Sequence, residues 1–531
     1  MSAKTADEAD QAHEKRRRRR ALVARGLAAL VVAAIRLRIA DVPLERDEGE
    51  YAYFAQLLLQ GVAPWAEAYT MKMPGTAAAY ALALGLFGQT ALAIRLGLLV
   101  VSLLSMALVY ALGRRIGDEW TGAAAGAAYG FLSLAVAVLG TAAHATHFVA
   151  LCALAGLVWL LRALDSKRAW ELFASGAVLG LAYTMKQHGV VFAAFGAVWV
   201  FRHSRRGLVA YCAGAALPFA AIALWLWGAG VFERFWFWNF VYASSYATSE
   251  PLSYALGRLG FALGRMPPLA GFLALAALGL LAPIRDERAR RSALFLGGLL
   301  AFSVFAVVPG GHFRPHYFIA LWPAVALLAG VGATALARHV SAKAAAAVVV
   351  ASAALLIGME RGPLLRLSPL EFSRAVYRLN PFPESIEIAD YVRANTAPDE
   401  RVAVFGSEPQ IFFYAQRRSA TGHIYMYGLT EVHPYALAMQ KELVAQVEAA
   451  RAPVVVLANA FSSWMWRPAS EHHAFDWAQG YLQREYDVAG VVEILDSGTT
   501  SVWGEAARSY VPRTDESLVI FRRKPPATES R

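Results

Sequence analysis

Charge and cysteine are both scarce in this chain. Charged residues make up only 17% of its 531 residues against 57% hydrophobic, and the mean hydropathy is +0.42, a balance that excludes an ordinary soluble domain. The two cysteines, Cys152 and Cys212, fall inside apolar runs. They read as small buried hydrophobes, which excludes a disulfide framework and a cysteine-based metal site. No internal repeat or low-complexity tract is found beyond a basic leader, so the paired halves common in transporters are missing. The net charge of +11 would suggest nucleic acid in a soluble protein. Here the Arg and Lys residues sit in short clusters between apolar runs, which is a topology signal and argues against a nucleic-acid partner.

What remains is a polytopic α-helical membrane protein. A helix needs about 20 apolar residues to cross the hydrocarbon layer. The segment "EKRRRRRALVARGLAALVVAAIRL" lacks a small-residue cleavage pattern and reads as an uncleaved first helix, preceded by a disordered, lipid-attracted cytoplasmic leader at 1–20. Starting inside, spans are expected near 21–40, 91–113, 119–140, 147–163, 169–185, 188–202, 207–228, 263–283, 292–309, 316–337 and 343–360, about eleven in all. The segments "GRRIGDE", "RALDSKRAW", "RHSRRG", "RDERARRS" and "ARHVSAK" then share one face, and their bases make it the cytoplasmic one. The bundle at 21–360 turns its other loops, 41–90, 228–262 and 310–315, outward. Spans 169–185 and 188–202 are short and meet at "TMKQHG", so they are not expected to cross fully, which sets Lys186 and His188 near the outer face.

Beyond about residue 361 the chain becomes Pro-rich and charged, and short β-rich runs ("RVAVFG", "PVVVLAN", "SLVIFRRK") alternate with amphipathic helices ("SIEIADYVRANT", "PQIFFYAQ", "HPYALAMQKELVAQVEAA"). Residues 361–531 read as a small extracytoplasmic α/β domain.

Four carboxylates, Glu45, Asp47, Glu48 and Glu50, crowd the exit of the first span in "LERDEGEYAYFAQLLLQG". Local structure accounts for part of this. Asp47 with Glu50 has the spacing of a capping box and Gly61 of a helix stop, on a helix whose Tyr51, Phe54, Ala55, Leu58 and Leu59 form one face lying on the membrane. Capping leaves Glu45 and Glu48 unexplained, so the cluster also reads as a site. "RDEGEYAYFAQLLLQGVAPW" with "KMPG" and "LFG", then "RLGLLVVSLLSMALVYALGRRIG", "GLAYTMKQHG", "HFRPHYFIALWPAVALLAG" and, more weakly, "VAVFGSEPQIFFYAQRRSATG" resemble, in order and sidedness, the lipid-dependent GT-C glycosyltransferases. The likeness is to the protein mannosyltransferase and aminoarabinose transferase group, over about residues 20 to 340 and faintly to 425.

That resemblance implies a GT-C-like bundle in the cytoplasmic membrane and an inverting transfer of a sugar from a polyprenyl-phosphate donor to an outer lipid, glycan or protein. It makes Asp47 the general base for the acceptor hydroxyl and Glu48 the residue orienting the acceptor or a cation. The departing phosphate needs cations at the membrane edge, for which Lys72, Lys186, Arg314, His316 and Tyr317 are the candidates. Lys72 is equally well read as an interfacial lysine that snorkels, and His312 and His316 as satisfied loop histidines. Glu50, Tyr51, His144, His147, Trp238 and Glu408 are candidates for sugar or acceptor contacts, with Arg417 beside Glu408. Trp236, Phe237, Trp238, Phe240 and Tyr242 also fit an interfacial aromatic belt. The family's further acid at the outer junction of the third and fourth helices is replaced here by "GTAAHATHFVAL". His144 and His147 in that stretch, with Glu48, leave a divalent metal open as the one cofactor considered. A flippase for lipid-linked sugars, and a ligase using diphosphate donors, are the competing readings.

Overall fold

The computed structural model describes residues 3–248, 250–496 and 498–525. Residues 1 and 2 of the expected leader, and 497 and 526–531 of the expected C-terminal domain, lie outside these.

Helices stand at every expected span. The first nine helices are α1 (Ala3–Arg38), α2 (Arg46–Leu59), α3 (Pro74–Phe87), α4 (Ala91–Ile116), α5 (Glu119–Leu134), α6 (Ala145–Ser166), α7 (Ala169–Met185), α8 (Val190–His203) and α9 (Gly207–Gly228). After a broken aromatic stretch come α10 (Leu252–Gly264), α11 (Ala270–Leu281), α12 (Glu287–Phe305), α13 (Trp322–His339) and α14 (Ala342–Met359). Their boundaries follow local chemistry. Pro74 opens α3, Thr90 caps α4 by accepting from the Ala93 N–H, and Asp118 with Thr121 closes a capping box on α5, each satisfying N–H groups the first turn leaves open. Six helical stretches among the described residues are long and apolar enough to cross a membrane: 91–116, 145–166, 207–228, 267–284, 315–339 and 342–359. Large apolar side chains such as Leu86, Val209, Leu224 and Trp227 are exposed around the bundle, as expected where lipid is the solvent.

Small residues set the helix approach. A Cβ on Gly279 of α11 would lie 1.9 Å from the Leu328 carbonyl oxygen of α13, and one on Gly332 of α13 would lie 2.0 Å from that of Leu275. Close backbone contact of this kind is what holds helices together where no hydrophobic force distinguishes protein from lipid. The basic turns after α4, α6, α8, α11 and α13 lie at one end of the bundle. The segments 39–73, 135–144, 186–189, 229–266, 306–321 and 360–378 gather at the other.

The chain then forms α15 (Glu384–Ala394), β1 (Arg401–Phe405), α16 (Gln410–Ala415), β2 (Arg418–Ser419), α17 (Ala436–Ala450), β3 (Val454–Ala458), α18 (His473–Glu485), β4 (Tyr486–Leu495), β5 (Gly498–Trp503) and β6 (Ser517–Arg523). The six strands make one mixed sheet in the order β2-β1-β3-β6-β4-β5. β1 is parallel to β2 and β3, with Ala403 opposite Val455. β6 runs antiparallel to β3 and β4, and β4 and β5 form a hairpin.

Several expectations need correction. Residues 3–20 of the leader, expected disordered, are helical and continue without a break into the rest of α1. α2 does not lie on a membrane surface, because residues 48–57, most of its length, are buried on every side. Its Tyr51 and Phe54 share one core with Val404, Phe412 and Leu518 of the sheet unit, so bundle and sheet meet in a common apolar interior. Cys152 is half-buried, but Cys212 is exposed rather than buried.

Candidate active site

The four carboxylates divide their work differently from the expected capping. Glu45 is the N-cap of α2 and accepts from the Glu48 N–H at 2.9 Å, while Glu48 Oε2 accepts from the Glu45 N–H at 3.2 Å. The capping box is therefore Glu45–Glu48, not Asp47–Glu50. Glu48 is fully buried, ion-paired to Arg95 of α4, and accepts the Ala143 N–H at 2.6 Å. Every acceptor position it has is spent inside the protein, so Glu48 holds the 139–144 loop and cannot orient a substrate or a metal. Consecutive helical residues point about 100° apart. Asp47 consequently faces the other way, into a cavity of about 600 Å³.

Lys72 binds two of these acids. Its Nζ donates to Asp47 Oδ1 at 2.6 Å and pairs with Glu50, whose Oε1 accepts from Thr70 Oγ1 at 2.5 Å. Its charge is thus matched within the protein, which is more than snorkelling. The Asp47 carboxyl is buried, but Lys72 outweighs that burial and, with His144 and Lys186, holds it far below the usual carboxylate range. Glu50 is shifted the other way, its burial outweighing Lys72. Tyr51 lines the same wall, its ring 4.8 Å from the Lys72 ammonium.

Lys186 sits in the break between α7 and α8, as the two short spans predicted. Among the described residues no carboxylate lies within ion-pair distance of it. Its Nζ is 3.4 Å from His316 Nε2 and 4.0 Å above the Tyr317 ring. Burial pushes the ammonium down to about 7, with Lys72 and Arg314 adding to the effect and Asp47 opposing it. Arg314 lines the same cavity, so two cations with no carboxylate in ion-pair contact among the described residues share one cavity. His188 and His312 also line it. The His312 ring stacks on Tyr246 at 4.3 Å.

The expected histidine pair separates. His147 Nε2, in the first turn of α6, lies 3.1 Å from the carbonyl oxygen of Gly140 in the preceding loop. His144 instead stacks on His316 at 4.0 Å. Its Nδ1 is 3.8 Å from Asp47 Oδ2 and 3.7 Å from Glu45 Oε1, and neither ring nitrogen has a hydrogen-bond partner among the described residues. Burial lowers it to about 3, so the ring is neutral, the form that binds metals. Asp47, His144 and His316 offer ligand atoms within 4.8 Å of one another. These three, not Glu48, His144 and His147, are the set that could hold a divalent ion.

Trp238 and Tyr242 are buried and line the cavity, while Trp236 is exposed, so the aromatic stretch is divided between site and surface. Glu408 does not reach the cavity. It is fully buried against Arg46 at 2.5 Å and Ser463 Oγ at 2.8 Å. Arg417 is likewise spent on the carbonyls of Arg393 and Thr396. Both tie the sheet unit together. The sequence reading missed Tyr425, Tyr427 and Glu431 from the sheet unit, and Arg258 of α10, Arg265 and Arg378, which complete the wall. Tyr425 Oη stands 3.4 Å from Asp47 Oδ1. Only the tertiary fold brings these residues to the cavity, and no local pattern marks them.

Residues 71–228 match the family model described as dolichyl-phosphate-mannose-protein mannosyltransferase. Among solved structures the chain superposes on ArnT from Cupriavidus metallidurans bound to undecaprenyl phosphate, with a TM-score of 0.55 at 18% identity over 94% of this chain and 97% of that one. The fold is that of the GT-C glycosyltransferases. The apo form of the same ArnT gives 0.55 at 17% identity, again over 94% and 97% of the two chains. The arabinofuranosyltransferase AftD from Mycobacteria gives 0.50 at 13% identity over 94% of this chain and 40% of that one. Among curated proteins no sequence matches significantly. Both the lysine break and the 139–144 loop of this GT-C bundle fall inside the matched segment.

Proposed function

We propose that the protein is an inverting glycosyltransferase of the cytoplasmic membrane that moves a sugar from a polyprenyl-phosphate donor to an extracytoplasmic acceptor. The observation that carries this reading is one cavity holding the ionised Asp47 together with Lys186 and Arg314, neither of which is in ion-pair contact with a carboxylate among the described residues. A buried cation without a counterion costs several kcal/mol, and a lipid phosphate is the anion that would offset it. The relation to ArnT, whose structure holds undecaprenyl phosphate, supports the same class of donor.

In this reading the donor phosphate sits between Lys186 and Arg314, with His316 and Tyr317 alongside. The acceptor hydroxyl oxygen attacks the anomeric carbon from the side opposite the phosphate, Asp47 takes the hydroxyl proton, and the anomeric C–O bond breaks with its electron pair passing to the phosphate oxygen. Inversion follows from the single displacement. The cations stabilise the charge that develops on the leaving phosphate. Asp47 clamped by Lys72 is a weak base; the arriving phosphate draws on Lys72 and restores its basicity. About eleven crossings, basic turns in the cytoplasm and the sheet unit of 361–531 outside complete the reading.

The test is transfer by the purified protein in lipid from a panel of labelled polyprenyl-phosphate sugars. Turnover of one donor is expected, falling about 10²- to 10⁴-fold in Asp47→Asn, the range for loss of a general base, and sharply in Lys186→Ala. Wild-type rates in Asp47→Asn would remove the assigned base. No turnover with any donor, while labelled lipid crosses the bilayer, would make the protein a flippase.

A further inference from the structure

The cavity has a second polar wall that the transfer chemistry does not use. Glu431 ends the short helix Tyr427–Thr430 of the sheet unit and reaches the cavity. Its Oε2 accepts from Tyr242 Oη at 2.5 Å, and Tyr242 belongs to the irregular aromatic turn Phe237–Tyr242 of the bundle. Trp238 of that same turn lines the cavity too, its ring 5.1 Å from that of Tyr242. Gly428 lets the two halves close here: a Cβ on it would stand 3.2 Å from the Tyr242 hydroxyl and 3.5 Å from the Trp238 ring.

No cation among the described residues is in ion-pair contact with Glu431. Arg467, the arginine of the sheet unit whose charge acts on it, is paired instead with Glu250 at 2.5 Å. A carboxyl group has several acceptor positions, and one phenol uses one of them. A carboxylate repels a phosphate, and the electron-rich face of an indole does not attract an anion. Together they complement an uncharged ring that presents hydroxyls along its edge and C–H bonds on its face, which is a sugar. Arg314 bears on the location: its charge acts on Glu431, so the anchoring cation and the carboxyl group lie in one neighbourhood of one cavity. A sugar whose phosphate rests on Arg314 is within reach of Glu431.

We propose that Glu431 and Tyr242, with the Trp238 ring beside them, form the subsite that holds the sugar of the lipid-linked donor, and that Glu431 sets which sugar is accepted. The inference rests on the transferase reading above. Burial holds the Glu431 carboxyl up at about 7, so near neutral pH it can donate to a ring oxygen as well as accept from a hydroxyl, which suits an uncharged sugar better than an ammonium.

The experiment measures binding and turnover by the full chain in lipid nanodiscs, with wild type, Glu431→Gln, Glu431→Ala and Tyr242→Phe. The two ligands are a bare polyprenyl phosphate and the panel of neutral polyprenyl-phosphate sugars. The expected result is equal affinity of all four proteins for the bare lipid phosphate, which also shows that the variants fold. Affinity for the preferred sugar-bearing donor should fall about tenfold or more in Glu431→Ala, the scale of one lost hydrogen bond to a charged or buried group. Preference among the sugars should narrow in Glu431→Gln, which keeps the shape and the bond to Tyr242. Unchanged donor affinity and unchanged preference in both Glu431 variants, with wild type turning over a donor, would overturn the subsite alone. Wild type binding the bare lipid but turning over no sugar would overturn the transferase reading, and the subsite with it.

Discussion

Lys186 was legible in the sequence because a lone lysine among some thirty apolar residues demands a reason, and Asp47 because four acids in six residues exceed what a cap needs. Glu48 was not, since nothing in a linear sequence says that two adjacent acids on a helix will face an arginine and a cavity respectively. The structure turns Lys186 into a titration prediction. Its ammonium is held near pH 7 by burial, while the phosphodiester of a lipid-linked sugar keeps one negative charge over the whole neutral range. The cation is present below pH 7 and lost above it. Donor binding is therefore expected to be strongest at pH 6 and to weaken about tenfold per unit once pH passes well above 7, moderated by the bound phosphate, which favours the charged amine. In Lys186→Arg, whose guanidinium stays charged, the alkaline fall should disappear even if affinity is lower throughout. Donor KM measured from pH 6 to 9 decides this, and an identical alkaline rise in the arginine variant would remove Lys186 from phosphate binding.

At the scale of elements, α2 determines how the site is assembled. It is held at its start by the Glu45–Glu48 box, on one flank by Arg95, and on another by α16 of the sheet unit. Gly49 makes that last contact possible: a Cβ there would lie 2.6 Å from the Gln410 backbone nitrogen. Gly49→Ala is expected to cost about 1–3 kcal/mol, the range for overpacking a well-filled interior. Gly85→Ala in α3, where a Cβ meets nothing within 4 Å, should be neutral or stabilising by up to ~1 kcal/mol because alanine favours the helix. Thermal unfolding of both variants in detergent tests the contrast, and equal midpoints would mean that α2 and the sheet unit do not press together. Periodicity exposed most of these elements, with α7 and α9 beginning and ending where the apolar runs do. The β4–β5 hairpin escaped it. Val491, Val492, Glu493 and Ile494 are all buried, so the strand shows no alternation, and the inward Glu493, satisfied by Tyr510 Oη at 2.6 Å and the Thr514 N–H at 2.9 Å, reads as surface in a linear sequence.

For the whole molecule the question is which face of the membrane carries the cavity. The bundle separates its charges by end, with basic turns at one and the cavity and sheet unit at the other, so the proposed outer cavity requires the basic turns to stay in the cytoplasm. The bundle and the sheet unit are locked together by contacts such as the buried Arg46–Glu408 pair, so the sheet unit and the cavity must lie on the same side. That coupling makes a labelling experiment decisive for both. With Cys152 and Cys212 replaced by serine, Ser509→Cys in the exposed β5–β6 connection should react with a membrane-impermeant maleimide on intact cells, and Arg288→Cys in the exposed first turn of α12 only after permeabilisation. The opposite pattern would put the cavity in the cytoplasm. A flipped polyprenyl-phosphate sugar would then never meet Asp47, and the donor would have to be one presented on the inner leaflet.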